Sequence, residues 1–332
     1  MDKNEIVLEV KGLSTAFRTE KGWLKAVDGV DFQVKRKEIL GIVGESGCGK
    51  SVTVQSIMRL YDEKRTVKYG GEVLLEGQNL FQIPFKEMRR IRGEKISMVF
   101  QDSLSALNPL MKVGPQIAEA IYIHKKVSEK IAMVQAMDMI QAVGIPTPEK
   151  RFYQYPHELS GGMRQRVMIA IALACYPMIL IADEPTTALD VTIQAQILEL
   201  MKKLNREMDM GIILITHDLA VVSQTCERVL VMYLGQVVEE GNTEEVFCYP
   251  FHPYTVSLME SIPHMEGERN KPLTTIKGTV PLLNQIPNGC RFAPRCPKAN
   301  EKCRKESPGL ISITKGRKVR CWYPVEERGE RT

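Results

Sequence analysis

Residues 39–51 read ILGIVGESGCGKS. The run Ile39 to Val43 has the continuous apolar character of a strand buried on both faces. It ends in a glycine-rich turn, and a helix is expected to begin near Lys50. Residues 44–51 fit the spacing G-x-x-x-x-G-K-[ST] in a strand–loop–helix setting, the arrangement of a phosphate-binding loop. Gly44, Gly47 and Gly49 allow backbone N–H groups to turn inward around phosphate oxygens. The start of the following helix adds the positive end of its dipole. The candidate nucleotide-contacting residues are therefore Gly44, Glu45, Ser46, Gly47, Cys48, Gly49, Lys50, Ser51 and Val52. In this pattern Lys50 reaches the β- and γ-phosphates and the Ser51 hydroxyl ligates Mg²⁺.

A loop of this kind belongs on a parallel α/β sheet, and the flanking sequence supplies one. Ile6 to Val10, Phe32 to Val34 and Ile96 to Phe100 read as strands. Ile179 to Ala182 and Ile212 to Thr216 are further apolar runs of the doubly buried type, with a helix from Val191 to Leu204 between them. Val229 to Tyr233 and Gln236 to Glu239 flank Gly235 like a hairpin. From about residue 105 to 174 the pattern is mainly helical, broken at Pro109, Pro146 and Pro156. Residues 85–94, FKEMRRIRGE, read as a solvated, charged stretch. Strands alternating with helices predict an α/β fold with a helical insertion. Beyond about residue 262 prolines punctuate a tail with little periodicity, so the reading divides the chain into residues 1–262 and 263–332. No internal repeat is visible, which leaves one nucleotide site's worth of machinery.

The strand at 179–184, ILIADE, ends in two acids. Asp183 is placed to hold Mg²⁺, and Glu184, next along, to act on an attacking water as general base. Alone this is a weak signal, because apolar strands often end in surface acids. Paired with GESGCGKS it is strong. Four more segments complete the set: LSGGM at 159–163, VFQD at 99–102, ITHD at 215–218 and TALD at 187–190. Singly, Ser160 could be a plain helix cap, Gln101 a polar residue after a strand, and His217 a satisfied core histidine. Together and in this order they resemble the signature motif, Q-loop, switch histidine and D-loop of ATP-binding-cassette ATPases.

That resemblance, carried by motifs from 44 to 217 and covering roughly residues 5 to 250, implies a phosphate-loop ATPase cassette with a mixed sheet. It implies two cassettes sandwiching ATP head to tail. Ser160, Gly161 and Gly162 would then cap the γ-phosphate held by a partner, with Asp190 of the D-loop alongside. Gln101 would touch Mg²⁺ or the water, and His217 the γ-phosphate. For the adenine ring Phe17 is the stacking candidate and Trp23 the alternative, since FRTEKGW at 17–23 departs from the simplest family pattern. YPHELSGGMRQRVMIAIAL at 155–173, YPFHPYTVSLMESIP at 249–263 and the tail beginning NGCRFAPRCP are similar to the D-type ATPases of bacterial oligopeptide and dipeptide importers. The resemblance implies a second, non-identical ATPase, two membrane permeases and an external binding protein as partners. Nickel or another small solute remains an alternative cargo. A soluble non-transport cassette ATPase and a metal- or redox-sensing regulator are the alternatives of other classes.

Composition fits this reading. The charged fraction of 26% argues against disorder over most of the 332 residues. A net charge of +5, with dispersed basic residues, is no nucleic-acid footprint. The longest apolar run, Val167 to Ala182, is interrupted by Tyr176 and Pro177 and falls short of the roughly 20 residues a span needs. MDKNEIVLEV lacks the apolar core of a signal peptide. The expected location is the cytoplasmic face of the membrane, held there by partners.

Four of the eight cysteines, Cys290, Cys296, Cys303 and Cys321, crowd into the tail. Disulfides are disfavoured in a reducing compartment. The gaps lack the short paired spacing of zinc knuckles, so zinc is the poorer alternative. The tail is basic and poor in apolar residues, and metal binding can supply folding energy that a core does not. Lys298, Lys302, Arg304 and Arg320 could offset thiolate charge. The resemblance to peptide-importer ATPases implies a four-iron four-sulfur cluster at these cysteines.

Overall fold

The structure, a computed structural model, describes residues 5–187, 189–261 and 276–325. The boundary expected near residue 262 lies outside the described residues. Among the described residues twelve strands form two sheets. They are β1 (Ile6–Thr19), β2 (Gly22–Lys35), β3 (Ile39–Val43), β4 (Val67–Leu75), β5 (Gln78–Asn79), β6 (Ile96–Val99), β7 (Ile179–Asp183), β8 (Gly211–Ile215), β9 (Arg228–Tyr233), β10 (Gln236–Asn242), β11 (Ile311–Thr314) and β12 (Arg317–Val319). The smaller sheet is antiparallel, in the order β2-β1-β4-β5. The larger is mixed, in the order β11-β12-β10-β9-β3-β8-β7-β6. Its central strands β9, β3, β8, β7 and β6 run parallel; β10, β12 and β11 are antiparallel additions at one edge.

Strand periodicity divides the core. Along β3, Leu40 and Ile42 pack against the antiparallel sheet with Val7, Val27 and Phe32. Ile39 and Val43 face the other way, toward the helical region with Ile117, Ile169 and Leu214. Both faces of the central strands are covered, which is why β3, β7 and β8 are buried at every position and read as unbroken apolar runs. The helical insertion is built from Val113–Lys125, Glu129–Ala142 and Gly161–Leu173 with short turns between them.

Two regions depart from the sequence reading. Residues 85–94 form a helix, not a solvated stretch, although Arg92 and Gly93 leave helical geometry. Met88 and Ile91, one turn apart, are buried, and the Arg92 Nε donates to the Met58 carbonyl at 2.7 Å. The high density of charge hid that single apolar ridge. The tail also has more core than its composition implies. β12 pairs with β10, and Phe292 and Val319 are buried to 1% and 0% exposure. Phe292 belongs to the main hydrophobic core.

Candidate functional site

The parallel strands β3, β7 and β8 all end at one edge of the sheet, and each hands over to a motif. In an open α/β sheet this carboxyl edge is where ligands bind. From β3 the chain enters the phosphate loop and then the helix Lys50–Ile57. Gly44 has φ +150°, and a Cβ there would lie 2.3 Å from the Met232 carbonyl oxygen. Gly49 has φ +94°, and its Cβ would meet the Ala26 carbonyl at 2.8 Å. The loop is thus pressed between β9 and β2 with no room for side chains at those points. The Lys50 ammonium is folded over the loop, donating to the carbonyls of Gly44 at 2.7 Å and Glu45 at 3.1 Å. Burial lowers its pKa, opposed by nearby acids including Glu184 and Asp183.

Two oxygen ligands of the kind Mg²⁺ prefers sit together here. The Ser51 hydroxyl donates to the Asp183 carboxylate at 2.9 Å, joining the loop helix to the end of β7. Asp183 is 4% exposed. Burial raises its pKa, and the Ser51 hydrogen bond opposes that rise. A divalent ion would supply the missing positive charge, so the pair fits Mg²⁺.

Glu184 gathers the remaining residues. Its φ of +48° places a non-glycine residue in the left-handed region, the kind of local strain found at functional sites. One carboxylate oxygen accepts from Gln101 Nε2 at 2.7 Å and from the Thr187 hydroxyl at 3.0 Å. The other lies 3.3 Å from His217 Nδ1. Gln101, Glu184 and His217 come from three segments, and the fold brings all three together. Thr187 was read only as part of TALD; its hydroxyl spacing three residues after Glu184 was the available signal.

Ser160, Gly161, Gly162 and Asp190 form a separate group. Ser160 caps the helix Gly161–Leu173 and Asp190 caps Val191–Glu207, accepting from the Ile193 amide at 2.9 Å. A Cβ on Gly162 would lie 2.7 Å from Ile193 Cγ2, so the two helix starts pack directly. Phe17 on β1 meets the Tyr61 ring edge-on at 4.9 Å. Two residues earlier on the same strand face, the Thr15 hydroxyl donates to Ser56 of the phosphate-loop helix at 2.8 Å. Trp23 is 42% exposed, with Lys68 Nζ 4.3 Å from its ring centroid.

The metal expectation for the tail is corrected. Cys290, Cys296, Cys303 and Cys321 do line one cavity, with His252, Phe292 and Trp322. Yet among the described residues no three His, Cys, Asp or Glu side chains are placed to hold a metal ion, so neither the four-iron four-sulfur cluster nor zinc is supported. The physical setting agrees. Burial raises the thiols of Cys290, Cys296 and Cys321, the last to about 11, and so favours neutral S–H over thiolate. Two of the four nearby cations have other partners, while Lys298 lines the cavity itself. Arg320 donates to the carbonyls of Val237 and Pro308, and Lys302 Nζ lies 3.9 Å over the Trp322 ring. Phe292 packs in the main hydrophobic core, so this segment has apolar burial of its own.

Comparison with known proteins gives a consistent result. Residues 27–187 match the family described as ABC transporter. Residues 238–303 match the oligopeptide/dipeptide transporter C-terminal region. A probable peptide ABC transporter ATP-binding protein of Sinorhizobium fredii is 50% identical over 98% of this chain and 97% of its own length. The oligopeptide transport ATP-binding protein AppD of Bacillus subtilis is 49% identical over 98% of this chain and 99% of its own. Among solved structures, a dimeric bacterial ABC transporter cassette is similar at TM-score 0.63 and 29% identity, covering 71% of this chain and 98% of that one. The same cassette in a post-hydrolysis state with ADP and phosphate matches equally well.

Proposed function

The chain belongs to the ATP-binding-cassette transporter ATPases and is the ATP-binding, ATP-hydrolysing subunit of a peptide importer, and from that premise we propose how its residues divide the work. The phosphate loop, Gly44 to Val52, wraps the triphosphate with its amides, and Lys50 turns its ammonium from the loop carbonyls to the β- and γ-phosphates. Ser51 and Asp183 would hold Mg²⁺, which would supply positive charge to offset that of the phosphates. Glu184 takes the proton of the attacking water, Gln101 orients that water, and His217 contacts the γ-phosphate. Phe17, set beside the phosphate-loop helix, carries the adenine ring; Trp23 is the other aromatic within reach of that role.

Ser160, with the amides of Gly161 and Gly162, faces the nucleotide of a second cassette, and Asp190 lies at the same interface. The likeness to a dimeric cassette supports a site completed by two subunits. The second subunit is a different ATPase, and the pair sits beneath two permeases fed by an external peptide-binding protein. Among the described residues no helix is long and apolar enough to cross a membrane. That fits a peripheral subunit at the cytoplasmic face.

The observation that carries the mechanism is the Glu184 carboxylate, bonded to Gln101 and Thr187 and 3.3 Å from His217, one residue beyond the Asp183–Ser51 pair. Glu184→Gln keeps the shape and removes the base. In the assembled importer it is expected to retain ATP binding and to lose turnover by roughly a hundredfold or more. Turnover within a few-fold of wild type would refute the general-base role.

A further inference from the structure

The phosphate loop is gripped from outside by the cysteine-bearing segment. Arg295 makes a two-pronged pair with Glu45, the second residue of the loop: Nη1 to Oε2 at 2.6 Å and Nη2 to Oε1 at 3.0 Å. The back of the guanidinium is fixed by carbonyls, Nε donating to Lys277 at 3.0 Å and Nη2 to Gly278 at 3.2 Å. The Arg295 side chain is 4% exposed and that of Glu45 28%. Four residues earlier, Arg291 donates to the Leu234 carbonyl and to Asp28. The next amide, Gly235 N–H, donates to the Cys48 carbonyl of the phosphate loop at 2.8 Å. Arg295 therefore contacts the loop directly and Arg291 holds the turn beside it, while Phe292, between them in sequence, packs against Tyr233 and Tyr254.

This grip answers an electrostatic problem. A carboxylate inside a loop that receives a triphosphate is a like charge beside the ligand. Arg295 both cancels that charge and fixes where it points. We propose that Arg295 is a positioning residue for nucleotide binding: by holding the Glu45 carboxylate outward it keeps the phosphate loop open to the triphosphate, which makes the C-terminal segment part of the ATP site. The proposal rests on the reading that residues 44–51 bind the triphosphate.

Titration calorimetry of MgATP into the full-length chain tests it, with thermal unfolding of each variant as the check on folding. Arg295→Met is expected to weaken ATP binding about tenfold, the scale for removing one partner of a largely buried pair, discounted for the exposure of Glu45. Adding Glu45→Gln to that variant removes the uncompensated charge and is expected to restore affinity to within about threefold of wild type. A role confined to packing the tail would not be rescued by a change in the phosphate loop. A folded Arg295→Met chain with wild-type affinity overturns the proposal, and so does a double variant no better than the single. If Arg295→Met fails to fold, Arg295→Lys carries the test. It keeps the charge but loses the fork, so an intermediate loss that Glu45→Gln relieves supports the proposal, and unchanged affinity overturns it. Lys50→Ala separates the two readings: if it binds ATP like wild type, the assignment of the loop itself has failed.

Discussion

The phosphate loop and the segment Cys290–Cys296 are both irregular backbone, packed at the same end of the main sheet, and they are held in opposite ways. The loop is shaped by its own main chain. Gly44 and Gly49 adopt conformations that other residues avoid, against carbonyls that leave no space for a Cβ. Among the hydrogen bonds of the described residues, the amides of Ser46, Gly47, Gly49 and Lys50 have no protein acceptor, whereas those of Glu45 and Cys48 do. The segment is held by side chains: two arginines donating to carbonyls and carboxylates, and Phe292 buried among aromatic rings. A loop whose amides must stay free for a ligand has few of its own bonds with which to support itself. Its support has to come from neighbours, and here the neighbour is the segment.

The sharpest way to break the comparison is within the loop. Gly44→Ala combines a disfavoured φ with a 2.3 Å approach to the Met232 carbonyl, which belongs to the backbone of β9 and has little freedom to give. A loss of roughly 3 kcal/mol or more in stability is expected. Gly47→Ala has φ +80° but nothing within 4 Å of the new Cβ. It should cost about 1 kcal/mol, from conformation alone. Thermal unfolding of the two variants measures the difference. Equal losses would mean that the loop is not fixed by close backbone approach.

The same contrast explains what was legible beforehand. The phosphate loop and Asp183–Glu184 could be picked out as candidates from glycine spacing and strand-end position, whereas Gln101 and His217 stood out only through the family resemblance of VFQD and ITHD. The parallel strands were readable too, since burial on both faces forces unbroken apolar runs such as Ile179 to Ala182. The tail was not. Its cysteines drew attention through spacing, while Arg291 and Arg295 in the same RFAPRC stretch passed as background charge. Their partners, Leu234, Asp28 and Glu45, lie as many as 263 residues away, and no local pattern reports a long-range ion pair. The helix at 85–94 was missed for a related reason. Only two of its side chains, Met88 and Ile91, are buried, too few to show a period through the surrounding charge.

A second prediction sharpens the comparison from the segment's side. His252 is 1% exposed and lies under Phe292 in the cavity shared with the four cysteines. Its Nδ1 accepts the Tyr254 amide at 3.0 Å, which requires the neutral ring. Burial, foremost, lowers its pKa to about 3, with the Arg320 charge acting in the same direction. The folded pKa lies below the unfolded one, so the unfolded chain binds the proton more readily. Stability from this residue is full above the ordinary histidine pKa of about 6.5. It declines as pH falls from there toward 3, by up to about 1.4 kcal/mol per pH unit. His252→Asn keeps a helix-capping acceptor and removes the titration. Unfolding measured between pH 7 and 5 should be less steep in pH for the variant, and identical slopes would contradict the assignment. Buried Glu239, which accepts the Phe251 and His252 amides, has its pKa raised by burial and pulls the other way. Only the difference between variant and wild type isolates His252.

The smallest expected effect tests the link between the two regions most directly. The Tyr254 hydroxyl accepts the Glu45 amide at 2.8 Å, a second hold on the residue that Arg295 grips. Tyr254→Phe removes that acceptor and keeps the ring, whose packing against Tyr233 at 4.8 Å and Phe292 at 5.3 Å is unaffected by the missing oxygen. The loss should be about 1 kcal/mol, the usual cost of one unmade hydrogen bond, or a few degrees in the unfolding midpoint. If the hydroxyl served only the core, that would be the whole effect. If support from outside sets the shape of the loop, ATP affinity should also fall, by about two- to threefold, because part of the binding free energy is then used to reorder the loop. Both contacts act on Glu45, so Tyr254→Phe and Arg295→Met should not be additive in ATP affinity, as expected for neighbours sharing one partner. Strict additivity would mean that the hydroxyl and the guanidinium support the loop independently. An unchanged ATP affinity in Tyr254→Phe would assign the loop's shape to its own glycines.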